Sequence, residues 1–136
     1  MRAHFIRGED PMDAMNLGDV RGRKLKRIAD ILVKEFEKLI ENSIQTYFKP
    51  KFEIEYREIN QGFANRGQWE TDAIDVNLEY KEYYFSLNWV GNPLNEEVPQ
   101  KFVAKWAKVA RGASDMSTYR NLDPAVSKLK GWIENI

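Results

Sequence analysis

The chain contains no cysteine and only one histidine, His4. Lacking cysteine, it has neither a disulfide framework nor thiolate chemistry. A lone histidine near the terminus leaves the common nucleophile–base pairs and zinc ligand sets without their members. No glycine-rich phosphate loop occurs, and there is no internal repeat or low-complexity stretch. No apolar run approaches the roughly eighteen residues of a membrane span. The opening residues, MRAHFIRGEDP, lack the apolar run of a secretion signal. These absences point to a cytoplasmic protein with no membrane partner, no metal, no cofactor and no enzymatic activity.

The 136 residues are 43% hydrophobic and 12% aromatic, enough for one self-sufficient domain spanning 1–136. The formal net charge is zero but unevenly spread: +3 over 1–34, −5 over 49–97 and +4 over 98–136. Such segregation bears on partner choice rather than on fold.

Hydrophobic periodicity orders the elements. Residues 2–7 read as a short strand. Asp10 and Pro11 read as a cap and first-turn proline for a helical turn that Gly18 stops. From Lys24 to Tyr47, Leu25, Ile28, Ala29, Leu32, Phe36, Leu39, Ile40 and Ile44 recur at three and four, the face of a long helix. Ile31 and Val33 widen that stripe. The period then becomes two: Phe52, Ile54 and Tyr56, then Ile74, Val76 and Leu78, then Tyr83, Phe85, Leu87 and Trp89 mark three strands. The last two are close enough for a hairpin. Val98, Phe102, Val103, Trp106, Val109 and Ala110 fit a second helix over 97–111. Residues 112–121 read as a loop, and Asp123 with Pro124 opens a final helix with Val126, Leu129, Trp132 and Ile133 inward. The expected fold is α+β: an antiparallel three- to four-stranded sheet, helices on one face, in the order β-α-β-β-β-α-α. Within it, residues 1–20 form an N-terminal strand and turn, 21–111 an α-β-β-β-α core and 121–136 the last helix.

Four groups of residues are candidates for contact. Arg21, Arg23, Lys24, Lys26 and Arg27 crowd the start of the long helix, where the macrodipole is already positive; an anion there would offset the repulsion, and so would solvent and salt. Lys101, Lys105, Lys108 and Arg111 would line one stripe of the second helix, suited to a phosphate backbone or simply to water. Glu53, Glu55, Asp75 and Glu79 fall on the outward side of adjacent strands, open to a basic protein surface or to solvation, and least to a divalent ion, since no carbonyl- and glycine-rich calcium loop frames them. In the loop 60–71, Arg66 and Trp69, with Phe63, are of the types enriched at interface hot spots.

Helix–strand–strand–strand–helix over residues 23–111 resembles the layout of double-stranded-RNA-binding domains, although NEEVPQKFVAKWAK carries Glu96 and Glu97 where that family has cations. The same order resembles small metal-dependent nucleases, including junction resolvases. That likeness would make Asp75 a metal ligand, but Ser86 and Asn88 stand where an acid is needed, so an inactive relative is implied. The opening HFIRGEDPMDAMNLG resembles small proteins of bacterial phages and mobile elements, which implies an accessory or anti-defence role exercised by binding. The sequence therefore leads first to a non-catalytic binder of a protein or protein–nucleic-acid machine through Glu53, Glu55, Asp75, Glu79, Arg66 and Trp69. The alternatives are a module binding DNA or RNA through its basic residues, and a magnesium-dependent nuclease.

Overall fold

The computed structural model describes residues 2–6, 20–43, 51–59, 71–108 and 113–135. Strand β1 (Arg2–Ile6) is followed by helix α1 (Val20–Ser43). Strands β2 (Phe52–Ile59), β3 (Thr71–Tyr80), β4 (Tyr83–Gly91), β5 (Lys101–Lys108) and β6 (Ala113–Tyr119) follow, then helix α2 (Leu122–Glu134). The six strands hydrogen-bond in chain order, every neighbour antiparallel. The class is α+β with an antiparallel sheet.

Alternation fixes which side chains share a face. Ile54 pairs with Val76, Val76 with Leu87 and Leu87 with Ala104; Tyr56, Ile74, Trp89 and Phe102 form the next row. All eight are buried. Helix α1 lies on this face through Leu25, Ala29, Leu32, Val33, Phe36, Leu39 and Ile40, and its Phe36 ring sits 5.0 Å from that of Phe52. Helix α2 packs beside it through Ala125, Leu129 and Ile133, with Trp132 set edge-on against Trp106 at 6.5 Å. Full burial of one such large side chain stabilises by about 1.5–3 kcal/mol. Val33 joins the core as expected, whereas Ile31 is 47% exposed.

Three expectations are corrected. The helix over 97–111 is strand β5, and the loop over 112–121 contains strand β6. Among the described residues the sheet accordingly has six strands rather than three or four, and the 21–111 core is not α-β-β-β-α. In KFVAKWAK the pattern Phe102, Ala104, Trp106 fits period two as well as a helical stripe, and pairing with β4 decides between them. The layout likenesses to RNA-binding domains and nucleases depended on that second helix. Helix α2 begins one residue before the Asp123–Pro124 pair, and its N-cap Asn121 makes no side-chain capping bond. Asp123 sits in the first turn, where its charge complements the macrodipole. The Asp10–Pro11 turn and Gly18 fall outside the described residues.

Two local features shape the sheet ends. The β3–β4 hairpin turns at Lys81, which takes φ 56° without being glycine. At the other end of β4, Gly91 admits the Trp89 ring: a Cβ there would stand 2.7 Å from Trp89 Cζ2. Trp89 is also tethered, its Nε1 donating to Gln100 Oε1 at 3.0 Å.

Candidate functional site

With both described helices on one side of the sheet, the other side carries the opposite set of side chains. Glu53 and Glu55 of β2, Asp75 and Asn77 of β3, Ser86 and Asn88 of β4 and Lys105 of β5 share it, with Glu55 opposite Asp75, Asp75 opposite Asn88, and Asn77 opposite Ser86. Glu79, opposite Tyr84, completes the row toward the hairpin. The four acidic residues picked from the sequence thus do share one face. His4 occupies the register position opposite Glu55.

The acidic face is not uniformly solvated, which corrects the simplest expectation for it. Glu53 and Glu79 are exposed, but Asp75 is only 7% exposed, and Asn77, Ser86 and Asn88 are buried with it. Burying such groups is costly unless each finds a partner. Arg57 supplies one by donating to Asp75 through Nε at 2.7 Å and Nη2 at 3.0 Å, a bidentate pair. Glu55 stands 3.7 Å from the same guanidinium. The Ser86 hydroxyl has one proton, which it donates to Asn77 Oδ1 at 2.7 Å. Asn88 therefore turns its amide nitrogen toward Ser86 Oγ and toward Asp75 Oδ1 at 3.2 Å. The result is one continuous chain of donors and acceptors across β2, β3 and β4, in which each buried group supports the next.

Above this chain lies a cavity of about 280 Å³ lined by Glu55, Arg57, Asp75, Asn77, Tyr84, Ser86, Asn88 and Lys105. Burial, together with the carboxylates of Asp75, Glu55 and Glu53, pushes the Tyr84 hydroxyl from 10.0 up to about 12. Because the folded value is raised, the folded protein keeps a proton that the unfolded chain releases. The associated stability is complete below pH 10 and is lost as pH climbs through about 12. Melting temperatures measured between about pH 9 and pH 12 should fall more steeply for the parent than for Tyr84→Phe. Parallel curves would show that the hydroxyl titrates alike in both states.

Among the described residues the two basic groups do not meet. Arg21 reaches from α1 to the sheet, its Nε donating to Asp72 Oδ2 at 2.9 Å and its Nη2 to Oδ1. Arg23, Lys24, Lys26 and Arg27 lie exposed along the first turns of α1, on the helix side of the sheet. The lysine stripe is corrected: in a strand, Lys101 and Lys105 point to the polar face and Lys108 to the helix side. Lys108 meets Glu82 at 3.2 Å and lies 5.4 Å from the centre of the Tyr83 ring. Arg66, Trp69 and Arg111 lie outside the described residues. Among the described residues no three carboxylate or imidazole groups converge as metal ligands, and no helix is long and apolar enough to cross a membrane.

The residues that sequence reasoning missed are Arg57, Asn77 and Tyr84. Their signal was weak, since each merely occupies a polar position in an alternating run. Comparison with family models, with curated proteins and with solved structures finds no match to this chain.

Proposed function

We propose that the chain is a non-catalytic binding protein, of the accessory or anti-defence kind found on phages and mobile elements, that engages a protein or protein–nucleic-acid machine through the sheet face opposite the two described helices. The observation that carries this reading is the buried chain Arg57–Asp75–Asn88–Ser86–Asn77. Apolar residues at these positions would hold a sheet together as well or better, so a rigid polar floor is best understood as recognition hardware. Both Asp75 oxygens are engaged by Arg57, the opposite of a carboxylate kept ready for a metal. The separation of Arg23–Arg27 from Lys101 and Lys105 by the thickness of the sheet favours a protein partner over a phosphate backbone, which needs its cations on one continuous track.

The test is charge reversal at the exposed rim. The double variant Glu53→Lys, Glu79→Lys should keep its stability to within about 0.5 kcal/mol, as solvent-facing changes do, and lose the protein that the parent captures from a host lysate. Undiminished capture would remove the face from consideration. Binding to short duplex DNA or RNA that weakens steeply with salt would favour the nucleic-acid alternative.

A further inference from the structure

We infer that strand β6 pairs antiparallel with β6 of a second copy of this chain, centred on Met116, and joins two sheets into one. This goes beyond the partner reading and does not depend on it.

The argument starts at the edge of the sheet. β6 ends the strand order, and among the described residues it pairs with β5 alone. The direction of its backbone groups follows from the β3–β4 hairpin. Tyr80 and Tyr83 flank a two-residue turn, and in such a hairpin the closing pair exchanges its backbone bonds. Alternation carries through the registers of β4, β5 and β6 and turns the N–H and C=O groups of Ser114, Met116 and Thr118 away from β5. A separate contact agrees: the Met116 N–H donates to its neighbour's carboxylate, Asp115 Oδ1, at 2.8 Å. All three side chains are exposed, Met116 to 60%. Proline, lysine and bulges usually blunt such an edge. ASDMSTY has no proline or lysine, and its register with β5 runs without a break.

The strand is complementary to itself in one register. Two copies paired antiparallel in one sheet are related by a two-fold axis normal to it, so paired residues share a face and the axis passes through a residue. An axis at Asp115 would set two carboxylates opposite one another. An axis at Ser117 would set Ser114 opposite Arg120, beyond the end of β6. An axis at Met116 pairs Ser114 with Thr118 and Asp115 with Ser117 of the other copy. No like charges then meet, and every outward backbone group of Ser114, Met116 and Thr118 gains a partner. The two Met116 side chains cover each other, and the Asp115 carboxylate, displaced from the Met116 N–H, accepts from the second copy's Ser117 hydroxyl. Helix α2 does not obstruct, because it packs chiefly over β5. The two β5 strands would lie three strand spacings apart, about 14 Å, wider than the roughly 8–10 Å between packed helices. Both polar faces then lie on the same side of the joined sheet. A single short edge covers less than the roughly 1,200–2,000 Å² of a stable interface, so the association is weak.

The experiment uses the full chain. Sedimentation between about 10 μM and about 1 mM should show a reversible monomer–dimer equilibrium. Met116→Pro should weaken dimerisation about tenfold or more and keep the fold, because the N–H it removes belongs to the outer edge. Met116→Lys sets two ammonium groups opposite one another and should do the same, so it decides the matter if the proline variant melts early. The chain has no cysteine of its own, so Met116→Cys should cross-link to a dimer under mild oxidation. Ser114→Cys should not: its two copies would stand about 14 Å apart, beyond the reach of a disulfide. A chain that stays monomeric at about 1 mM, a dimer indifferent to both Met116→Pro and Met116→Lys, or equal cross-linking of the two cysteine variants would overturn the assignment. Loss of lysate capture on rim reversal would stand or fall separately, because Glu53 and Glu79 are not in β6.

Discussion

Phe36→Ala is expected to lower the free energy of unfolding by about 3–5 kcal/mol, the usual cost of truncating a buried aromatic side chain. Phe36 is fully buried where α1 crosses the sheet, and its ring meets that of Phe52 at 5.0 Å. Removing it leaves a void between the long helix and β2, and neighbours such as Leu32 and Val33, themselves without solvent exposure, have little freedom to collapse into it. A domain of ordinary stability has about 5–15 kcal/mol in total, so the variant would sit near the edge of folding at moderate temperature. Ile31→Ala is the matched control: Ile31 points outward from the same helix, and its loss should cost no more than about 0.5 kcal/mol. Urea midpoints of the two variants measure the difference. Equal midpoints would mean that α1 is rotated away from the orientation described.

Asp75→Ala carries the second large effect, about 2–3 kcal/mol, by a different mechanism. The substitution removes the bidentate acceptor of Arg57, leaving the guanidinium its looser 3.7 Å contact with Glu55, and takes one acceptor from the buried Asn88 amide. The Arg57 side chain is 32% exposed, so water takes up part of the deficit and the cost stays below that of a fully buried broken pair. Replacing both members, as in Arg57→Met with Asp75→Leu, should recover most of the loss, because two apolar groups need no partner. A double variant as unstable as the single one would show that the pair is held by something other than mutual satisfaction. Thermal or urea unfolding of the parent, the single variant and the double variant settles the matter. The same experiment bears on function: if the double variant is stable but fails to capture the partner, the polar floor serves recognition rather than folding.

Much of the architecture was legible because it rests on periodicity. The long helix, the alternation in β2, β3 and β4, and the tight β3–β4 hairpin follow from residue spacing and turn length. The polar face was half legible: Glu53, Glu55, Asp75 and Glu79 share it because alternation puts them there. Beyond that, local signals fail for identifiable reasons. KFVAKWAK contains alanine and lysine, good helix formers, and its apolar residues fit either period, so propensity pointed to a helix. ASDMSTY has no large apolar residue between Met116 and Tyr119, and as an edge strand with an exposed Met116 it needs none. Such a strand reads as a loop until its neighbour is known.

By itself, then, the sequence determined what depends on a few neighbouring residues: the absence of thiol chemistry, the inner face of α1, the faces of three strands and the inward side of α2. Tertiary structure decided what depends on residues far apart in the chain. Pairing with β4 made β5 a strand and sent Lys101 and Lys105 to one side of the sheet and Lys108 to the other. Contacts across 18 and 51 residues gave Asp75 to Arg57 and Asp72 to Arg21. A buried charge must be satisfied, but nothing in the local sequence says by whom, because the partner is chosen by strand register and helix placement rather than by spacing along the chain.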